Sequence, residues 1–249
     1  MQVVVDGLIT NYSQLGEGRV ILFLHGWGDS LAGFREMMGS LEQGYQVVAL
    51  DLPGFGQTQS PEGVWGLDDY AKFVASFVAK LKLKVSVFVG HSNGGAIAIR
   101  GLASETLKAD SLVLLSSAGI RGESKGKLGA IQLVTKTGKI LTSSLPSGVR
   151  NKLRRKVYSA AGSDMLVAEH LQETFKKVVA DDVRSDADRL KIPTLIIYGS
   201  EDRATPTSYG ELFSELIKRS HLEIVESAGH FVHHDQPEQV RRLISEFIK

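Results

Sequence analysis

Cysteine is absent from the 249 residues, which excludes disulfides, thiolate metal sites and a cysteine nucleophile. That absence suits a reducing compartment, so a cytoplasmic location is the expectation. No window approaches the ~20 consecutive apolar residues of a membrane span. The opening Met1-Gln-Val-Val-Val-Asp6 has no basic region, no long apolar stretch and no small-residue cleavage site. It reads as a strand rather than a secretory leader. Without such a leader, the sequon Asn11-Tyr-Ser13 carries no expectation of glycosylation. Internal repeats, heptads and low-complexity tracts are also missing.

What is present is ordinary in amount and uneven in placement. Hydrophobic residues make up 43% and charged residues 23%, as in a globular protein with one substantial core. The formal net charge is only +1, yet Arg121 to Lys156 holds ten bases against the single acid Glu123. That stretch therefore carries +9 and the rest of the chain −8. A run of bases is commonly a solvated face. It can also steer an acidic carrier or an anionic substrate toward a site. Nucleic acid is not expected as a partner, because aromatics are not interleaved with these bases.

Apolar runs of strand length recur at Val3–Val5, Val20–Leu24, Tyr45–Leu50, Val85–Val89, Leu112–Leu115, Thr194–Tyr198 and Leu222–Val225. Most are nearly continuous in apolar residues, as in strands covered on both faces. Between them, Leu67, Tyr70, Phe73, Val74, Phe77, Val78 and Leu81 fall at helical spacing. Val240, Leu243, Ile244 and Phe247 do the same near the end, after Asp235, Pro237 and Glu238. Strands alternating with helices predict an α/β fold with a mostly parallel sheet. The alternation breaks between about Ala118 and Lys191, where short amphipathic stretches occur around Leu128–Val134 and Met165–Val179. We expect residues 1–117 and 192–249 to form the core. Residues 118–191 are expected as an inserted helical cap over the sheet's C-terminal edge, where open α/β sheets bind ligands.

One pentapeptide carries chemistry. Gly90-His91-Ser92-Asn93-Gly94 follows the run Val85–Val89 and precedes a helical pattern beginning at Gly95 and Ala96. Strand, G-x-S-x-G, helix is the arrangement in which a strained turn presents a serine hydroxyl at the end of a sheet. A serine needs a base to take its proton, and the base needs an orienting carboxylate. Asp202 in Gly199-Ser-Glu-Asp202 follows the run Thr194–Tyr198, and His230 in Ala228-Gly-His230 follows Leu222–Val225. Both fall at the same sheet edge as Ser92, in the chain order serine, acid, histidine.

Neighbouring residues compete for these roles. Glu201 adjoins Asp202 but its spacing from the strand is less suitable, and Ser116-Ser-Ala-Gly119 offers no acid after the earlier strand. With no cysteine available, His233 and His234 read as solvated or helix-capping residues rather than metal ligands. His91 reads as a packed structural histidine. An oxyanion needs two backbone N–H donors. One is the amide of Asn93, after the serine; the other is the amide of Trp27 in His25-Gly-Trp-Gly28, after the run Val20–Leu24.

Together these motifs make the chain resemble the α/β-hydrolase-fold serine hydrolases from Val3 to Lys249, carboxylesterase-like and with a short helical cap. Asp51-Leu-Pro-Gly-Phe-Gly56 matches a further family signature, a structural turn after a strand. The resemblance implies a Ser92–His230–Asp202 triad, an oxyanion hole at Trp27 and Asn93, and hydrolysis of small carboxylic esters or lactones through an acyl-enzyme. It implies no metal or organic cofactor, and serine at position 92 disfavours members with an aspartate nucleophile. His25–Gly28 and Asp51–Gly56 also look like the esterase acting on pimeloyl-carrier-protein methyl esters. Thioesterase activity and a slow-turnover ligand sensor on the same fold are the remaining alternatives.

Overall fold

Strands buried on both faces need apolar side chains at every position. Val20–Leu24 meets that condition and is β3, wholly buried. The computed structural model describes residues 1–121 and 169–249. The described residues form one sheet of eight strands in the order β1-β2-β4-β3-β5-β6-β7-β8. The other strands are β1 Gln2–Val5, β2 Leu8–Leu15, β4 Gln46–Leu50, β5 Val85–His91, β6 Ser111–Leu115, β7 Thr194–Gly199 and β8 Ser220–Val225. From β4 to β8 every neighbouring pair is parallel, as the alternation predicts. β1 and β2 are the antiparallel exceptions.

β2 is absent from the sequence expectation. Its residues Leu8-Ile-Thr-Asn-Tyr-Ser-Gln-Leu15 mix polar and apolar types and are mostly half-buried, so no apolar run marks them. The usable signal is the turn before it. Asp6 and Gly7 have φ of 47° and 82°, and Val5 pairs with Leu8 across them. Positive φ at both central residues is the two-residue hairpin turn that Asp-Gly favours.

Alternate residues of the central strands enter two separate layers. Leu22, Leu24, Val48, Leu50 and Phe88 face helices α2 (Leu67–Lys80) and α3 (Asn93–Ala103). Ile21, Phe23, Val47, Val87 and Val89 face α1 (Arg35–Leu41) and the C-terminal helix, α8 (Pro237–Phe247). Each fully buried Leu, Ile or Phe contributes roughly 1.5–3 kcal/mol relative to exposure. Two such layers hold the strand ends fixed, and with them the loops that follow.

Of the span 118–191, the described parts divide. Helix α4 (Gln172–Ala180) is amphipathic, burying Thr174 and Val178. Helix α5 (Arg184–Ala187) is different: Val183, Ala187 and Leu190 are buried in the α2/α3 core layer. The Val183 amide donates to the Gly119 carbonyl (2.8 Å) and the Arg121 amide to the Asp182 carboxylate (3.1 Å). The chain thus returns to where it left the sheet. The basic residues from Lys125 to Lys156 and the stretch Leu128–Val134 lie outside the described residues. No helix among the described residues is long and apolar enough to cross a membrane.

Candidate active site

β5 ends at His91 and α3 begins at Asn93, leaving Ser92 alone to make the turn. Ser92 has φ 50° and ψ −117°. That region is sparsely populated for a residue with a side chain and costs of order 1–3 kcal/mol. Surrounding contacts impose it. The Ser92 amide donates to the Leu115 carbonyl, and the Ser92 carbonyl accepts from the Gly95 and Ala118 amides, each at 3.0 Å. A Cβ at Gly94 would lie 2.1 Å from the Leu24 carbonyl oxygen, so only glycine lets the helix start pass β3 so closely.

The loops after β7 and β8 bring Asp202 and His230 to this turn. His230 Nε2 lies 3.1 Å from Ser92 Oγ, and His230 Nδ1 lies 2.9 Å from Asp202 Oδ2. An ionised carboxylate only accepts, so Nδ1 carries the ring hydrogen and Nε2 is free to accept from the serine hydroxyl. The Asp202 side chain is fully buried. Burial opposes its ionisation, but His230 and the Thr205 amide and hydroxyl outweigh that effect and hold its carboxyl below the ordinary range. Glu201 is exposed and its carboxylate takes no part.

Thr205 is a site residue that no sequence motif marks. Its amide and that of Ala204 donate to Asp202 Oδ1 at 2.9 and 2.8 Å. Its hydroxyl lies 2.8 Å from Asp202 Oδ2, 3.0 Å from the Ser116 carbonyl and 3.1 Å from His230 Nδ1. A threonine three residues after an acid is too common a pattern to have signalled this.

The loop after β3 packs against the same turn. A Cβ at Gly26 would come within 3.1 Å of Ser92 Cβ. His25 is buried and holds this loop from inside: its Nδ1–H donates to the Gly26 carbonyl (2.7 Å), and its Nε2 accepts from the Leu52 amide (2.9 Å). Burial lowers its pKa, consistent with a neutral ring accepting at Nε2. Among the described residues the backbone amides of Trp27 and Asn93 have no hydrogen-bond acceptor. Asp51, in the turn Asp51–Gly56, accepts from Asn11, Leu31 and Gln57, each at 2.8 Å. It organises that turn and does not reach Ser92.

Ser92 opens into a cavity of about 270 Å³, lined among the described residues by Trp27, Asn93, Phe175, Val178 and His230, with others. The Phe175 ring, from α4, packs on Trp27 with centroids 5.1 Å apart. Among the described residues no group of three histidine, aspartate or glutamate side chains could hold a metal ion.

The remaining histidines differ from expectation in one case. His234 is exposed, whereas His233 is 4% exposed and stacks on Phe34 at 5.1 Å. It is therefore packed in the α1-side layer rather than solvated. Burial first, then the charges of His234 and His230, push its pKa down to about 3.

A doubly covered, mostly parallel sheet with this turn after β5 defines an α/β-hydrolase fold. The chain belongs to the Alpha/beta hydrolase family, whose model matches residues 21–243. Among its relatives are the AB hydrolase superfamily protein YisY of Bacillus subtilis, 28% identical over 94% of this chain and 92% of that protein. The 2-hydroxy-6-oxo-2,4-heptadienoate hydrolase of Pseudomonas putida is 28% identical over 99% of this chain and 95% of its own length. Of solved structures, a meta-cleavage product hydrolase from Pseudomonas fluorescens is 25% identical, with a TM-score of 0.77 over 99% of this chain and 96% of that one.

Proposed function

We propose that the protein is a serine hydrolase of small carboxylic esters or lactones. The observation that carries this reading is the continuous relay Asp202–His230–Ser92, at 2.9 and 3.1 Å, on a strained turn facing a cavity. Ser92 Oγ attacks the carbonyl carbon while its proton passes to His230 Nε2. Asp202 keeps the ring in the required tautomer and stabilises the imidazolium. The amides of Trp27 and Asn93, without acceptors among the described residues, receive the oxyanion. The tetrahedral adduct collapses as His230 returns the proton to the leaving oxygen. Water, deprotonated by His230, then releases the acid and restores Ser92.

The named substrate of the Pseudomonas putida relative, a 6-oxo acid, also offers a carbonyl to attack, as a ketone rather than an ester. Helix α4 acts in this reading as a wall of the site, through Phe175, Val178 and Val179. The test is a panel of p-nitrophenyl esters of rising chain length together with simple lactones. Wild type is expected to sustain turnover, and Ser92→Ala to lose about 10⁴-fold or more in kcat. Wild-type rates in Ser92→Ala overturn the mechanism. A single burst followed by near-zero turnover would instead mark a ligand sensor.

A further inference from the structure

His91 precedes Ser92, is 1% exposed, and reaches across the site to the residue that meets the serine hydroxyl. Its Nε2 lies 3.0 Å from the main-chain carbonyl oxygen of His230. We infer that His91 is a positioning residue for the hydrolysis proposed above, on which this inference rests: its Nε2–H fixes the backbone of His230 and hence the distance from the His230 ring to Ser92.

A carbonyl oxygen only accepts, so the ring hydrogen of His91 sits on Nε2. Among the described residues no other donor reaches that carbonyl. The main chain on either side is tied down separately. The Gly229 amide donates to Asp235 (2.7 Å), and the Phe231 carbonyl accepts from the His234 and Asp235 amides of helix α7, Val232–Asp235. His230 itself hangs between these anchors, and His91 supplies the missing bond.

The His91 ring is clamped in place. It packs against His230, Phe231 and His233, with centroids 4.9, 5.1 and 4.8 Å apart. On its other side, a Cβ at Gly26 would approach its Nδ1 to 3.0 Å. One ring therefore touches the serine turn, the loop carrying Trp27 and the histidine loop. Burial, followed by His233 and His230, keeps His91 neutral, although the His230 carbonyl and Asp202 favour its charged form.

The test compares His91→Leu, which removes the donor, with His91→Gln, whose amide nitrogen reaches toward the Nε2 position. His91→Leu is expected to lower kcat by about 10²-fold, as a displaced reacting group does, with KM nearly unchanged. His91→Gln recovers most of that loss even where its melting temperature matches that of His91→Leu. Wild-type kcat in His91→Leu, or equal loss in both variants, overturns the inference. Nitrogen-15 shifts of the wild-type protein provide a check that needs no variant. They are expected to show protonated Nε2 and bare Nδ1 at His91 near neutral pH; the opposite tautomer overturns the inference. Persistent activity in both Ser92→Ala and His230→Ala refutes the hydrolysis reading instead, so the two failures are distinguishable.

Discussion

One wall of the Ser92 cavity consists of loops at strand ends, joined by partly buried hydrogen bonds between residues 138 and 139 positions apart. The facing wall is α4, whose exposed Lys177 pairs with Asp69 at 3.3 Å and whose end is tied to the core through Arg100. Exposed pairs such as Lys177–Asp69 contribute about 0–1 kcal/mol. The Arg100 cluster is stronger in kind. Its guanidinium meets Asp186 at 2.7 Å and Asp181 at 2.9 Å, and Asp186 is only 5% exposed. The strand-end wall therefore sets the distances on which the proposed hydrolysis depends. The α4 wall sets shape, through Phe175 and Val178, on a mount of ion pairs.

Substitutions in the two walls should separate rate from stability. In the strand-end wall, Asp202→Asn is expected to cost about 10⁴-fold in kcat by losing the tautomer at His230. Steady-state kinetics check this, with a melting temperature close to wild type. At the mount of the other wall, Arg100→Met leaves the buried Asp186 with Arg189 as its remaining cationic partner and should destabilise the fold by about 2 kcal/mol. Urea denaturation measures that loss, and residual folded protein should keep its kcat. A kinetic loss in Arg100→Met larger than its stability loss would break the distinction.

Acid should weaken the strand-end wall first, because His25, His91 and His233 are all buried with lowered pKa values. Each binds its proton less readily when folded than when unfolded. The unfolded chain therefore gains protons first as pH falls below about 6.5, and stability declines from there. Each such histidine costs up to about 2 kcal/mol by pH 5. Melting temperatures between pH 8 and 4.5 should fall accordingly, and His233→Leu should flatten the curve. A pH-independent melting temperature would contradict the burial of these rings.

The sheet was legible because strands covered on both faces advertise themselves as unbroken apolar runs. β2 lacked that signature, since it lies beside the sheet's edge with a half-wet face, and only the Asp6-Gly7 turn marked it. Ser92, Asp202 and His230 were legible from order and placement after strands, which parallel topology converts into proximity. Thr205 and the reach of His91 to His230 were not, because both depend on loop paths that no short pattern encodes. Asp186, acidic and yet buried, became intelligible only once Arg100 was seen beside it.

In the proposed reaction Ser92 carries the acyl group between the two half-reactions. Rapid acid quenching during turnover of a p-nitrophenyl ester, followed by peptide mass measurement, tests it directly. An acyl mass increment is expected on the peptide containing Ser92, and none in Ser92→Ala. An increment on a different residue, or undiminished turnover by Ser92→Ala, would contradict it.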